Sequence, residues 1–141
     1  MKPEILLRMC RDLLVTPCID LFASAKHHQF PRYFSADRED GSALGYNAFN
    51  YVWSGEVCLY ANPPWSLIAL VLEKVCRDKS RLLLVTPNWP DAMWFPLLAR
   101  LAVRQKEWKG KLYLSEEGKL RPVPRWTTLF TYLVGRDVRG E

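Results

Sequence analysis

Several things are scarce in this chain of 141 residues. It has four cysteines, Cys10, Cys18, Cys58 and Cys76, and no Cys-x-x-Cys pair, so neither a zinc knuckle nor a disulfide framework fits. Each sits in an apolar stretch, as a buried reduced thiol would, which points to a reducing, intracellular compartment. Its seven glycines form no Gly-x-Gly, and Ala23-Ser24-Ala25 follows the first apolar strand instead, which argues against dinucleotide binding. The two histidines, His27 and His28, are adjacent, so their side chains diverge and no metal site is expected. No Ser or Cys sits at a nucleophile elbow. The longest apolar run, residues 67–72, is far short of the ~20 residues that span a bilayer, and no charged start with an apolar stretch marks a secretory signal. The expectation is a soluble, unsecreted protein with no membrane partner.

What is present is ordinary globular material with one excess. Apolar residues make up 49% and charged residues 25%, as in soluble domains, but aromatics reach 13% with six tryptophans. The length suits a single domain over residues 1–141. The net charge of +5 is unevenly spread: residues 1–70 hold six Lys/Arg against seven Asp/Glu, and 71–141 hold fourteen against eight. Between Arg100 and Arg125 eight basic residues meet three acids, interleaved with Trp108 and Tyr113. That segment, with Arg104, Lys106, Lys109, Lys111, Arg121 and Arg125, is the candidate nucleic-acid surface, DNA before RNA, with salt-dependent and weakly sequence-selective binding. A solvated basic face is the alternative.

Periodicity predicts a helix over 3–14 with Ile5, Leu6, Met9 and Leu13 on one stripe, and a short strand over 18–22. Residues 23–50, mixing histidines, glycines and acids, read as a long ordered loop. A strand over 56–61, a helix to about Asp78 with Ser66 as N-cap, and a strand over 81–85 follow. Asp91 is expected to cap a helix to about Arg104, and strands are expected at 111–114 and 127–134. Strands alternating with helices of this length predict an α/β fold, Rossmann-like, with a mostly parallel sheet and helices on both faces.

In such a sheet, ligands bind outside the carboxyl ends of the strands. Asn62-Pro63-Pro64-Trp65 follows the second strand there. Two prolines lack N–H groups, can continue neither ladder nor helix, and hold the turn rigid. Asn62 offers an amide oxygen, Pro63 a backbone carbonyl and Trp65 a flat ring, an array able to accept the two protons of an aromatic amine and stack its ring. Such an array suits methyl transfer to an exocyclic amine, because acceptance of the protons leaves nitrogen density available for attack. Asp20, inside an apolar strand, is costly to bury alone and could take ribose hydroxyls or a cofactor ammonium; an N-cap or an ion pair to Arg32 is the plainer role.

Asp20-Leu21-Phe22-Ala23-Ser24, Pro31-Arg32-Tyr33-Phe34, Asn47-Ala48-Phe49 before Trp53, Tyr60-Ala61-Asn62-Pro63-Pro64-Trp65, Pro87-Asn88-Trp89-Pro90 and Trp94-Phe95, with Gly110-Lys111-Leu112, occur in an order that resembles the phage-type DNA adenine methyltransferase family. The resemblance is still better to the Dam-like domain of DIRS-type retrotransposons. It implies a small Rossmann-like fold that binds S-adenosylmethionine near Asp20, Phe22, Ala23, Asn47, Ala48 and Phe49. It also implies N6-methylation of a flipped adenine at Asn62, Pro63, Pro64 and Trp65. Asn47 stands where the family usually has Asp, His27 where it has Asn, and Trp65 where Tyr or Phe is commoner, so cofactor affinity is expected to be weak. The alternative is a catalytically inactive module of this fold that binds nucleic acid or a protein partner, descended from a mobile element.

Overall fold

The computed structural model describes residues 1–110 and 127–136. Seven strands form one sheet in the order β3-β2-β1-β4-β5-β7-β6, where β1 is Ile19–Ala23, β2 Arg32–Ser35, β3 Gly45–Tyr46, β4 Cys58–Ala61, β5 Arg81–Pro87, β6 Ala102–Trp108 and β7 Thr128–Val134. β1 to β5 pair in parallel, and β7 runs antiparallel to both β5 and β6. The expected α/β, mostly parallel architecture is present, and it is compatible with a Rossmann-like fold.

Helices cover both faces, and the strand alternation shows why. Register places Asp20, Tyr33, Tyr60, Leu83, Tyr132 and Arg104 in one row. On this face Tyr60, Leu83, Val85 and Phe130 bury against helix α1 (Pro3–Leu13), whose inward stripe is Ile5, Leu6, Met9 and Leu13, the four residues expected. The alternate residues Leu59, Ala61, Leu82, Leu84, Leu129 and Leu133 face α2 (Ile68–Asp78) and α3 (Phe95–Leu101). A continuous apolar run in β5 is therefore used on both sides, as parallel central strands require. α1 and α2 each end on a non-glycine residue in the left-handed region, Leu14 at φ 59° and Lys79 at φ 54°.

The structure corrects four expectations. Residues 23–50 are not a single long loop: they hold β2, β3 and a short 3-10 turn, Ala48–Asn50, whose elements of four, two and three residues are too brief to show a period. The helix before residue 104 is short, runs from Phe95 to Leu101 with Pro96 in its first turn, and is not capped by Asp91. Residues 102–108 form β6 although Arg104, Gln105, Lys106 and Glu107 are good helix formers, because pairing along β7 overrides their weak intrinsic preference. Ser66 lies within a 3-10 turn, Trp65–Leu67, that leads into α2. The strand expected at 111–114 lies outside the described residues. None of the described helices is long and apolar enough to cross a membrane.

Candidate ligand site at the carboxyl ends of β1 and β4

β1 leads outward through β2 to β3, while β4 leads the other way to β5, so the strand order reverses between β1 and β4. The connections leaving their carboxyl ends diverge there and open a crevice. A cavity of about 870 Å³ occupies it, inside the range of small-molecule sites. Phe22, Ala23, Asn47, Ala48 and Phe49 form one wall, and Asn62, Pro63, Pro64 and Trp65 the other. Three stretches, residues 22–23, 47–49 and 62–65, thus meet around one space. Leu67 and Leu70, around the start of α2, and Ser35 and Tyr46, at the ends of β2 and β3, also line it, as do Ser24 and His27.

The lining is held from behind. Asn47 has φ 58°, a region that asparagine tolerates better than most residues because its short amide bonds locally. Its Oδ1 accepts the Phe49 N–H at 3.1 Å, and its own N–H donates to the Ser35 carbonyl. Phe49 meets Phe22 edge-on, with centroids 5.6 Å apart, and tilts against Trp53. Trp53 is only 2% exposed. Its indole N–H donates to the Ala48 carbonyl at 2.9 Å, its backbone N–H to Asp78 at 3.0 Å, and its carbonyl accepts the Ser80 hydroxyl at 2.8 Å. Lys74, itself buried, lies 2.7 Å from Asp78 and over the Trp53 ring. Burial alone would raise the Asp78 carboxyl, but bonds from Lys74 and the Trp53 N–H outweigh it and hold it below the ordinary carboxylate value.

Asp20 does not line this cavity. It borders a smaller polar one of about 310 Å³, together with Lys26, His28 and Tyr60, which shares Phe22, His27 and Asn62 with the larger. The carboxylate is 3% exposed and accepts the N–H of Phe22 at 3.1 Å and of Gln29 at 2.9 Å. Desolvation dominates these bonds and pushes the group up to about 6. Asp20 therefore pins the β1–β2 connection. Within that connection His27 and Ser24 bond each other's backbone, and His28 stacks on Tyr33 at 4.3 Å. The His28 Nδ1 is 2.7 Å from the Phe30 carbonyl, so that nitrogen carries a proton.

At the other rim Pro63 is buried and Pro64 extended, with φ −52° and ψ 143°; the Pro64 carbonyl accepts the Leu67 N–H and turns the chain into α2. Trp65 is 52% exposed, with its ring centroid 4.8 Å from that of Trp89 and the planes crossing at 72°. Trp89 arrives on the segment after β5.

No family model and no curated protein matches the chain.

In the described part of the basic segment Lys106 and Lys109 stay exposed, with 45% and 79% of their side-chain surface open, although each lies near an acid. The Arg104 Nε–H donates to the Leu13 carbonyl at 2.6 Å and the guanidinium lies over Tyr132. Lys106 pairs with Asp12 at 3.1 Å, and Lys109 lies 3.6 Å from Glu107. Lys111, Arg121 and Arg125 lie outside the described residues. Ser35, Tyr46, Leu67 and Leu70 are lining residues that the sequence did not single out, since no motif or period marks them. Among the described residues no group of three His, Cys, Asp or Glu could hold a metal ion.

Proposed function

We propose that the chain is an adenine-N6 methyltransferase-type domain of Rossmann-like fold using S-adenosylmethionine. The observation that carries this reading is the convergence of Phe22 to Ala23, Asn47 to Phe49 and Asn62 to Trp65 around one cavity where the strand order reverses. Its volume and mixed lining fit that cofactor: aromatic and aliphatic walls suit a flat purine, and the adjoining polar cavity at Asp20 suits an amino-acid end. The cofactor, when bound, supplies an electrophilic methyl group. Asn62 and the carbonyl of Pro63 would accept the protons of the target amine, and Trp65 would stack on its ring. Because the prolines fix this turn in advance, the acceptors need no reorganisation during reaction.

The test is transfer of an isotope-labelled methyl group to adenine-containing DNA, read as N6-methyladenine by mass spectrometry. Asn62→Ala should lower the rate ~10²–10³-fold, the loss of one preorganised hydrogen bond at a reacting centre. A variant that keeps most of the wild-type rate would remove Asn62 from the chemistry.

A second reading, a non-catalytic module of the same fold, draws on one observation. The two polar groups expected on the cofactor, the carboxylate of Asp20 and the amide of Asn47, already serve the protein's own backbone N–H groups.

A further inference from the structure

Helix α1 buries one stripe against the sheet and carries a second apolar stripe outside it. Pro3, Leu7, Cys10 and Leu14 follow one another at steps of four, three and four residues, the spacing that seats one helix against another. Leu7 is 61% and Leu14 78% exposed. Beside this seam lies a groove of about 380 Å³, walled by Pro3, Leu7 and Cys10 on the helix and by Val15, Pro17 and Phe30 opposite. A lone exposed leucine is ordinary, but two at seam spacing along an apolar groove make a surface.

The charges flanking the seam decide what fits it. Arg8 lies over Trp108 and Asp12 pairs with Lys106, both toward β6. Glu4 and Arg11 are exposed, each one residue after a seam position, and among the described residues neither enters an ion pair. They are opposite in sign and stand at opposite ends of the helix. When two copies of such a helix pack antiparallel about a two-fold axis, Leu7 comes against Cys10 of the other copy and Leu14 against Pro3. At that same register Glu4 of each copy comes opposite Arg11 of the other. The incoming leucines thus arrive at Cys10 and Pro3, the residues that line the groove.

We propose that α1 is a self-association surface, against which a second copy of this chain packs antiparallel, with Leu7 and Leu14 seated along the groove of the other copy and two reciprocal pairs between Glu4 and Arg11. The proposal is independent of the reading of the cavity between β1 and β4. A contact centred on one helix of eleven residues is small, so the dimer is weak and concentration-dependent.

The experiment is sedimentation equilibrium of the full chain from about 1 µM to about 1 mM. The average mass should rise from 16.4 kDa toward twice that value. Leu7→Glu should stay monomeric throughout. Glu4→Arg and Arg11→Glu each turn two attractive contacts into two repulsive ones and should weaken association roughly tenfold. Mixing the two single variants restores opposite charges at both contacts and should recover association, as should both changes in one chain. Glu4 in the first turn and Arg11 in the last also suit the dipole of their own helix, but damage of that kind would persist in the mixture. Leu14→Gly, which relaxes a left-handed residue within the monomer, should weaken the dimer ~10-fold. A mass of 16.4 kDa at every concentration, a dimer that Leu7→Glu leaves intact, or charge variants that mixing does not rescue overturns the proposal.

Discussion

Asp78→Ala should be among the most damaging single changes in this protein, although the residue touches no part of the cavity. Its carboxylate accepts from Lys74 at 2.7 Å and from the Trp53 N–H at 3.0 Å, with side-chain exposures of 6% for Lys74 and 10% for Asp78. The substitution leaves an ammonium without its counter-ion in a nearly dry site and a backbone donor unsatisfied. Removing one partner of a buried pair costs about 3–5 kcal/mol. At roughly 3 °C per kcal/mol for a chain of this size, the melting temperature should fall by about 10–15 °C. Lys74→Met should cost less, because the Asp78 carboxylate it leaves behind keeps the Trp53 N–H at 3.0 Å and has Arg77 at 3.8 Å, and the methionine fills the space of the lysine stem. Chemical denaturation of the two single variants and the double variant measures the coupling directly. A cost below about 1 kcal/mol for Asp78→Ala would show that the pair is exchanging with solvent and does not anchor Trp53. The site should register the change too, since Trp53 holds the Ala48 carbonyl and packs against Phe49.

Leu14→Gly should stabilise the fold by about 1 kcal/mol: Leu14 is 78% exposed and held at φ 59°, where glycine pays no steric penalty, so a melting temperature that falls would show that its side chain packs usefully. Asp20, whose folded-state pKa near 6 lies above the ordinary carboxylate value of 3.8, binds its proton more tightly when folded. Its contribution to stability is therefore full below about pH 4 and is lost as the pH rises to about 6, a difference of about 3 kcal/mol. Relative to Asp20→Asn, which does not titrate, the wild type should lose stability across that window in urea denaturation, and parallel pH curves would contradict the assignment.

The sequence made some of this legible for identifiable reasons. The stripe of α1, the strands around Asp20, Tyr60 and Leu83, and the turn at Asn62 to Trp65 all announce themselves. They carry a period long enough to count or, at Pro63-Pro64, a residue pair that admits few backbone paths. β2 and β3 do not, because a strand of four residues and one of two are defined by their neighbours in the sheet rather than by their own pattern. Ser35 and Tyr46 reach the cavity only through those strands, so they stayed hidden with them. The basic segment differs again. Charge counting finds Arg104 and Lys106, but not that the chain returns them to Leu13 and Asp12, more than ninety residues away. An aspartate inside an apolar strand signals a partner, yet the partners of Asp20 are the backbone N–H groups of Phe22 and Gln29, which no side-chain motif can reveal.

Calorimetric titration of S-adenosylmethionine into the full chain tests the proposed role of the crevice between β1 and β4 most directly. One-to-one binding that Phe22→Ala weakens at least tenfold is expected. Asn47→Asp, which places a carboxylate at the cavity wall, should strengthen binding. No heat of binding at millimolar cofactor, or binding indifferent to Phe22, would contradict it.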